Sequence, residues 1–229
     1  LRVPADDQRR RLNKIVNPLS EATPYLRTSI LPGLFAAAAR NRSRGNDDLA
    51  LFEVGSVFFA NDPLLAAPRP PVTQRPSAEE LAALDRALGQ QPRHLGAVLT
   101  GQWVPGSWEG PGIAAGWEQA IAFVEAAAAA IGLRLDRRAA EYPPWHPGRC
   151  AEFTSPRGEA IGYAGELHPE VCVAFGLPPR AAAAEIDLDA LIAAAPASGD
   201  IPMISGFPVA KEDVALIVDN EVPAAVVER

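Results

Sequence analysis

Pro24-Tyr-Leu-Arg-Thr-Ser-Ile-Leu-Pro-Gly-Leu-Phe-Ala-Ala-Ala-Ala-Arg-Asn-Arg-Ser-Arg-Gly-Asn46, followed closely by Leu49-Ala-Leu-Phe-Glu-Val-Gly-Ser-Val-Phe-Phe59, is the stretch that decides the fold. Leu31, Leu34, Phe35 and Ala38 recur at i, i+3, i+4 and i+7 and so share one helix face. Pro32 suits a first helical turn, where its missing N–H costs nothing. Arg40, Arg42 and Arg44 gather at the far end, where the helix dipole favours cations, and Gly45 is a natural stop. The next run is apolar on both faces, which predicts a strand in the middle of a sheet.

Outward from this unit, the pattern is one of short strands, hairpins and helices. Residues 1–10 read as a polar loop, and residues 11–20 begin with strand-like alternation before the Asn17-Pro18 turn. Residues 60–76 hold five prolines and read as an exposed loop. Ser77 with Glu80 three residues on forms a capping box for a helix over 78–88. Strands are expected at His94–Gly101, 133–142, Arg149–Ser155, Ala160–Leu167 and Ala181–Leu188, with helices at 113–131, Pro169–Phe175 and Asp189–Ala195, the last capped by Asp189. Residues 102–112, with Trp103 and Trp108, read as a loop. A last strand is expected at Asp213–Val218. Hairpins such as the one turning at Pro156-Arg157-Gly158 make the sheet antiparallel with flanking helices, an α+β domain of about six strands.

Composition narrows the function. The 229 residues are 48% apolar and 21% charged, enough to bury a core, and 23 prolines with 18 glycines predict many loops. A net charge of −7 argues against the chain holding nucleic acid unaided, since phosphate contacts need a concentrated basic surface. Cys150 and Cys172 are too few for a disulfide framework and read as reduced thiols of a cytoplasmic protein. No membrane-spanning run is expected. The chain opens on Leu1 and closes on Glu228-Arg229 without a closing element, as a piece cut from a longer polypeptide would. Glycine-rich phosphate loops are absent, and His94, His146 and His168 are too scattered to serve as a metal site. His146 and Cys150 are neighbours, but a nucleophile and base need an orienting third group, and none is evident. Trp103, Trp108, Trp117 and Trp145 are core or interface candidates.

Three stretches together carry a resemblance: Asn17-Pro-Leu-Ser-Glu through Leu26-Arg-Thr-Ser-Ile-Leu-Pro-Gly-Leu34; Leu49 through Phe58; and His146-Pro-Gly-Arg149 followed by Gly165-Glu-Leu-His-Pro169. In order and spacing they resemble the beta chain of bacterial phenylalanyl-tRNA synthetases, in its later part. The start of the long helix, Ala114-Ala-Gly-Trp-Glu-Gln119, departs from the family's acidic and aromatic pattern. The resemblance implies a class II aminoacyl-tRNA synthetase-like antiparallel sheet flanked by helices and catalytically inactive, over 21–196. Residues 1–20 are then the end of a preceding connecting segment, and 200–229 the truncated start of a ferredoxin-like anticodon-binding domain. It also implies a partner: an alpha subunit that charges tRNA(Phe) with phenylalanine using ATP and magnesium, with no cofactor held by this chain. Residues 24–59 are similar to the class II dimerisation motif, so Leu31, Leu34, Phe35, Ala38, Phe52 and Val54 are the expected subunit interface. Class II activation uses one arginine on a strand-loop-strand and a second at a helix start after a strand, as fixed charge clamps on ATP. Arg149 and Arg157 echo the first, but 181–195 contains no arginine. A free-standing enzyme built on His146 and Cys150, or an independent adaptor without ligase activity, are the competing expectations.

Overall fold

The computed structural model describes residues 1–61, 67–196, 206–207, 210–219, 222 and 224–227. Two units are distinct, Leu1–Ala197 and Ser198–Arg229. The first is built on a six-stranded, wholly antiparallel sheet. In chain order its elements are α1 (Leu31–Arg42), β1 (Leu49–Ser56), α2 (Ala78–Ala87), β2 (Arg93–Thr100), β3 (Gln102–Val104), β4 (Ile113–Ala114), α3 (Trp117–Ala129), β5 (Asp136–Ala139), β6 (Trp145–Thr154), β7 (Ala160–Leu167), α4 (Pro169–Phe175), β8 (Ala182–Asp187) and α5 (Leu188–Ala194). The sheet order is β1-β2-β8-β7-β6-β5, and β3 and β4 form a separate small hairpin.

Side chains alternate across the strands, so the sheet has two buried faces. Val98, Ala183 and Cys150 join Leu31, Leu34, Phe35 and Ala38 of α1 and Val171 and Cys172 of α4 on one face. Leu99, Ala182, Ala184 and Ile186 join Ala120, Val124 and Ala128 of α3 and Leu191 of α5 on the other. The alanines of β8 let helices approach from both sides. Gly96 serves the same end, because a Cβ there would stand 2.7 Å from Ile30 Cδ1.

Local chemistry explains where elements begin. Ser77 Oγ accepts from Glu80 N at 3.2 Å and Glu80 Oε2 accepts from Ser77 N at 2.8 Å, the reciprocal cap that the sequence predicts. α5 is capped by Asp187, which accepts from Ala190 N at 2.9 Å, rather than by Asp189. Asp189 instead accepts from the Arg93 backbone and guanidinium. α3 starts at Trp117, later than expected, because Ile113 and Ala114 pair with β3 and Gly116 breaks the run. Residues 11–20 form no strand beyond a single Lys14–Tyr25 bridge.

Two further expectations are corrected. β1 is an edge strand, not a central one. Its alternate residues do point to both faces, but the face carrying Phe52 and Val54 has no helix over it at that margin. The strand expected at Asp213–Val218 is not present either. Residues 210–219 have no ladder partner, Val214, Leu216 and Ile217 are exposed, and only Ala224–Val227 of the second unit's described residues is helical. A lone strand has neither paired backbone nor a covered face. Among the described residues no helix is long and apolar enough to cross a membrane.

Candidate functional site

Two surfaces of the first unit are candidates: the cleft on the α1 face of the sheet, and the margin at β1.

The cleft encloses about 220 Å³ and is lined by Ser29, Phe59, His94, Tyr142, Tyr163 and Glu185, among others. Antiparallel pairing sets Tyr163 opposite Glu185, so both project on this face. Glu185 is held by three donors, Ser29 Oγ at 2.6 Å, the Ile30 backbone N–H at 3.0 Å and His94 Nδ1 at 2.7 Å. The Tyr142 and Tyr163 rings stack with centroids 3.9 Å apart, and Trp145 lies beside both. The Arg9 guanidinium covers the other face of this stack, 4.2 Å from the Tyr142 centroid. It donates to Asp7 at 2.7 and 3.0 Å and to the Pro143 carbonyl at 2.7 Å, while Thr28 Oγ1 donates to the Arg9 carbonyl. Residues 7–9 thus sit inside the first unit as part of the cleft wall, although residues 1–20 read in sequence as a connecting segment. The Arg9 guanidinium holds the Asp7 carboxyl below the usual carboxylate range. Burial pushes the Tyr142 and Tyr163 hydroxyls up, and for Tyr163 the nearby Glu152 adds to it.

Arg149 of the strand-loop-strand, and Arg138 and Arg180 outside it, are each paired with a carboxylate. Arg149 donates to Glu166 at 2.5 Å, and Arg180 to the same carboxylate at 3.3 Å. Glu152 accepts from Arg138 at 2.5 Å and from Tyr163 Oη at 3.0 Å. Arg157 stands in the exposed turn between β6 and β7. The His146 and Cys150 neighbourhood lacks the geometry of a nucleophile and base. Burial pushes the Cys150 thiol up to about 12, and His146 Nδ1 is buried with no hydrogen-bond partner. Both cysteines are free and buried. Among the described residues there is no group of three or more His, Cys, Asp or Glu side chains that could hold a metal ion.

At the β1 margin the six expected interface residues divide. Leu31, Leu34, Phe35 and Ala38 are buried against β1, β2 and α4 of their own chain, Phe35 fully so and edge-on to Phe175 at 5.1 Å. The helix stripe is therefore core, because the sheet it was to leave open is folded beneath it. Phe52 and Val54 behave differently, with 70% and 52% of their surface exposed. They pair with Ala97 and Leu95 of β2, on the α3 side of the sheet, beyond the reach of α3. Sequence reasoning missed the Arg9, Tyr142 and Tyr163 stack. In sequence only Tyr142 and Trp145, flanking Pro143-Pro144, hinted at it, and Tyr163 comes from a separate strand.

A six-stranded antiparallel sheet flanked by helices makes this an α+β domain consistent with a synthetase-like fold. Residues 1–188 match the family described as the phenylalanyl tRNA synthetase beta chain CLM domain, and the chain belongs to that family. It is 53% identical over 98% of its length to the phenylalanine–tRNA ligase beta subunit of Cutibacterium acnes, covering 26% of that protein. It is 50% identical over 100% of its length to the beta subunit of Thermobifida fusca, covering 28% of it, and 50% identical over 98% of its length to that of Streptomyces avermitilis, covering 27%. The chain thus spans about a quarter of the length of the curated relatives it matches, whose names as beta subunits imply a partner subunit.

Proposed function

We propose that this chain is a non-catalytic scaffold and subunit-interface part of a cytoplasmic phenylalanine–tRNA ligase. An alpha subunit, docked partly on Phe52 and Val54, carries out the ATP- and magnesium-dependent charging of tRNA(Phe). What supports this is the state of the sheet-face cleft. A polyphosphate needs fixed, available cations. Here Arg9 is spent on Asp7 and the Tyr142 face, Arg149 and Arg180 share Glu166, and Arg138 holds Glu152. The carboxylates of Asp7, Glu185 and Asp187 line the space that remains. A nucleotide would meet negative charge and an aromatic wall instead of a clamp. The cleft wall is built of side chains already paired within the chain, and the domain's exposed apolar edge is what is left for docking.

The test uses the complete beta chain assembled with its alpha subunit. Arg149→Ala and Arg157→Ala in the beta chain are expected to change phenylalanine-dependent ATP–pyrophosphate exchange by no more than about twofold, because neither touches reacting atoms. A loss of about 100-fold or more in an enzyme still assembled by gel filtration would place catalysis on this chain and overturn the reading.

A further inference from the structure

The deeply placed carboxylates of the first unit are not all answered in the same way. Asp7, Glu152 and Glu166 have side chains no more than 15% exposed, and each meets a guanidinium, from Arg9, from Arg138, and from Arg149 and Arg180. Glu185 lies as deep, 10% exposed, yet its one ion-pair partner among the described residues is the imidazole of His94. Its other donors, Ser29 Oγ and the Ile30 N–H, are neutral. A carboxylate taken that far from water is costly unless a full counter-charge meets it.

Beside Glu185 is the cleft, about 220 Å³ of open space. A cavity of about 150 Å³ takes benzene, so this one has room for roughly nine or ten non-hydrogen atoms. Asp187 stands two residues on along β8, projects to the same face, and also lines the cleft. Asp187 Oδ1 caps α5 by accepting from Ala190 N, and Oδ2 accepts nothing among the described residues. An ionised carboxylate has about four lone-pair sites, which leaves about one unspent on Glu185 and about three on Asp187. The hydroxyls of Thr28, Ser29 and Tyr163 are already donating. Arg9 is the only arginine or lysine in the lining, and it is committed to Asp7, the Pro143 carbonyl and the Tyr142 ring. The rings of Phe59, Tyr142 and Tyr163 supply much of the remaining wall. Spare acceptors and aromatic rings both favour a cation, and no free cation of the chain's own is there to meet an anion.

We propose that the cleft is a binding site for a small primary amine, with its ammonium between Glu185 and Asp187 and its apolar body against the aromatic wall. The ligand supplies the counter-charge that Glu185 lacks within the chain. Amino acids and nucleotides are rejected by the same features, because their carboxylate or phosphates would face Glu185 and Asp187 with no cation to hold them. The proposal is independent of the subunit reading, which concerns β1.

The experiment uses the complete beta chain assembled with alpha, and 2-phenylethylamine as the probe. Binding is measured by calorimetry in the parent ligase and in Asp187→Asn of the beta chain. Asparagine caps a helix as well as aspartate does, so the variant removes the charge and keeps α5. The parent is expected to bind the amine saturably, and the variant about tenfold or more weakly, as the loss of a charge-assisted bond gives. 2-Phenylethanol, of the same shape without the charge, is expected to bind at least about tenfold more weakly than the amine. Phenylalanine is expected not to displace the amine from the site that responds to Asp187→Asn. Amine held elsewhere in the ligase contributes equally to parent and variant and cancels in the difference. Equal amine binding by the two proteins overturns the proposal. So does the absence of saturable binding up to about 10 mM, as would follow if another part of the beta chain filled the cleft. An alcohol that binds as well as the amine would make the cleft a plain apolar hole, and phenylalanine competing there as well as the amine would show an available cation; either result also overturns it.

Discussion

On the α1 face of the sheet, Arg9, Tyr142 and Tyr163 stack in sequence, Glu185 has three donors, and Phe35 is fully buried. At the β1 margin of the same sheet, Phe52 and Val54 have little above them. In the first region, Glu185, Asp7 and Glu152 each have partners from within the chain. In the second, apolar side chains are left without cover among the described residues. A side chain finished internally contributes to stability, and one left unfinished contributes to assembly. Substitutions at the two places should separate these quantities.

The largest separation is between Phe35→Asp and Phe52→Asp. An aspartate at position 35 would be buried among Phe175, Leu31 and the α1-face core with no cation at hand, a change that costs more than about 4 kcal/mol and unfolds a marginal domain. The same charge at position 52 would meet water; it is expected to leave circular dichroism unchanged and, under the proposed function, to abolish capture of the alpha subunit. Were Phe35→Asp to stay folded and lose only capture, the helix stripe would be the interface after all.

Arg9→Ala comes next. It removes the cover of Tyr142, a bond to the Pro143 carbonyl, and the partner of a largely buried Asp7. About 2–3 kcal/mol should be lost in denaturant unfolding. The acid limb gives a second readout. Arg9 holds the folded Asp7 carboxyl below its ordinary value. The stability from this pair is therefore present above about pH 4, and falls as pH drops through the lowered folded value. Arg9→Ala should remove that part of the acid-limb slope. A variant with unchanged midpoint at neutral pH and an unchanged acid limb would mean that the cover is dispensable.

The elements were mostly legible in the sequence because each carries its own local signal. The 3.6-residue stripe, Pro32, the Ser77–Glu80 cap and the Pro156–Gly158 turn all act within a few residues. What was not legible depends on distant partners. Phe52 and Val54 alternate as a central strand would, and only sheet order, set by β2 pairing with both β1 and β8, reveals that β1 is an edge. The helix stripe read equally as core or interface, since an apolar face does not say whose surface it meets. The cleft joins Asp7 and Arg9 to Tyr142 and Tyr163 across more than 130 positions, and no spacing rule spans that separation. The tail strand expected at Asp213–Val218 is an apolar run that finds no ladder partner among the described residues.

Tyr163→Phe is a smaller test of the finished face. It keeps the stack on Tyr142 but removes the hydroxyl that donates to Glu152, which Arg138 still holds. About 1 kcal/mol should be lost at neutral pH. Burial raises the folded Tyr163 ionisation above its unfolded value. Its contribution is thus complete below about pH 10 and is lost as pH rises beyond that. The parent should lose stability more steeply than Tyr163→Phe on the alkaline side. Parallel alkaline limbs would mean that the hydroxyl titrates no differently when folded.

The smallest expected effect is Phe52→Thr, and it bears most directly on the unfinished margin. Threonine suits a strand as well as phenylalanine does, and its hydroxyl at an exposed position is solvated. The Phe52 side chain is 70% exposed, so little packing is lost within the chain. Unfolding stability should move by no more than about 0.5 kcal/mol, the range of surface changes that touch no special feature. Association with the alpha subunit should nevertheless weaken, and any concentration-dependent self-association of the free chain should fall. The contrast with Tyr163→Phe is the informative part. One substitution removes a single oxygen from a finished face and lowers stability. The other removes a whole ring from an open edge and leaves stability where it was. A stability loss at position 52 of 2 kcal/mol or more would show that the chain covers this ring itself in solution. The margin would then be a second core, and the division of the sheet into a finished and an open region would fail.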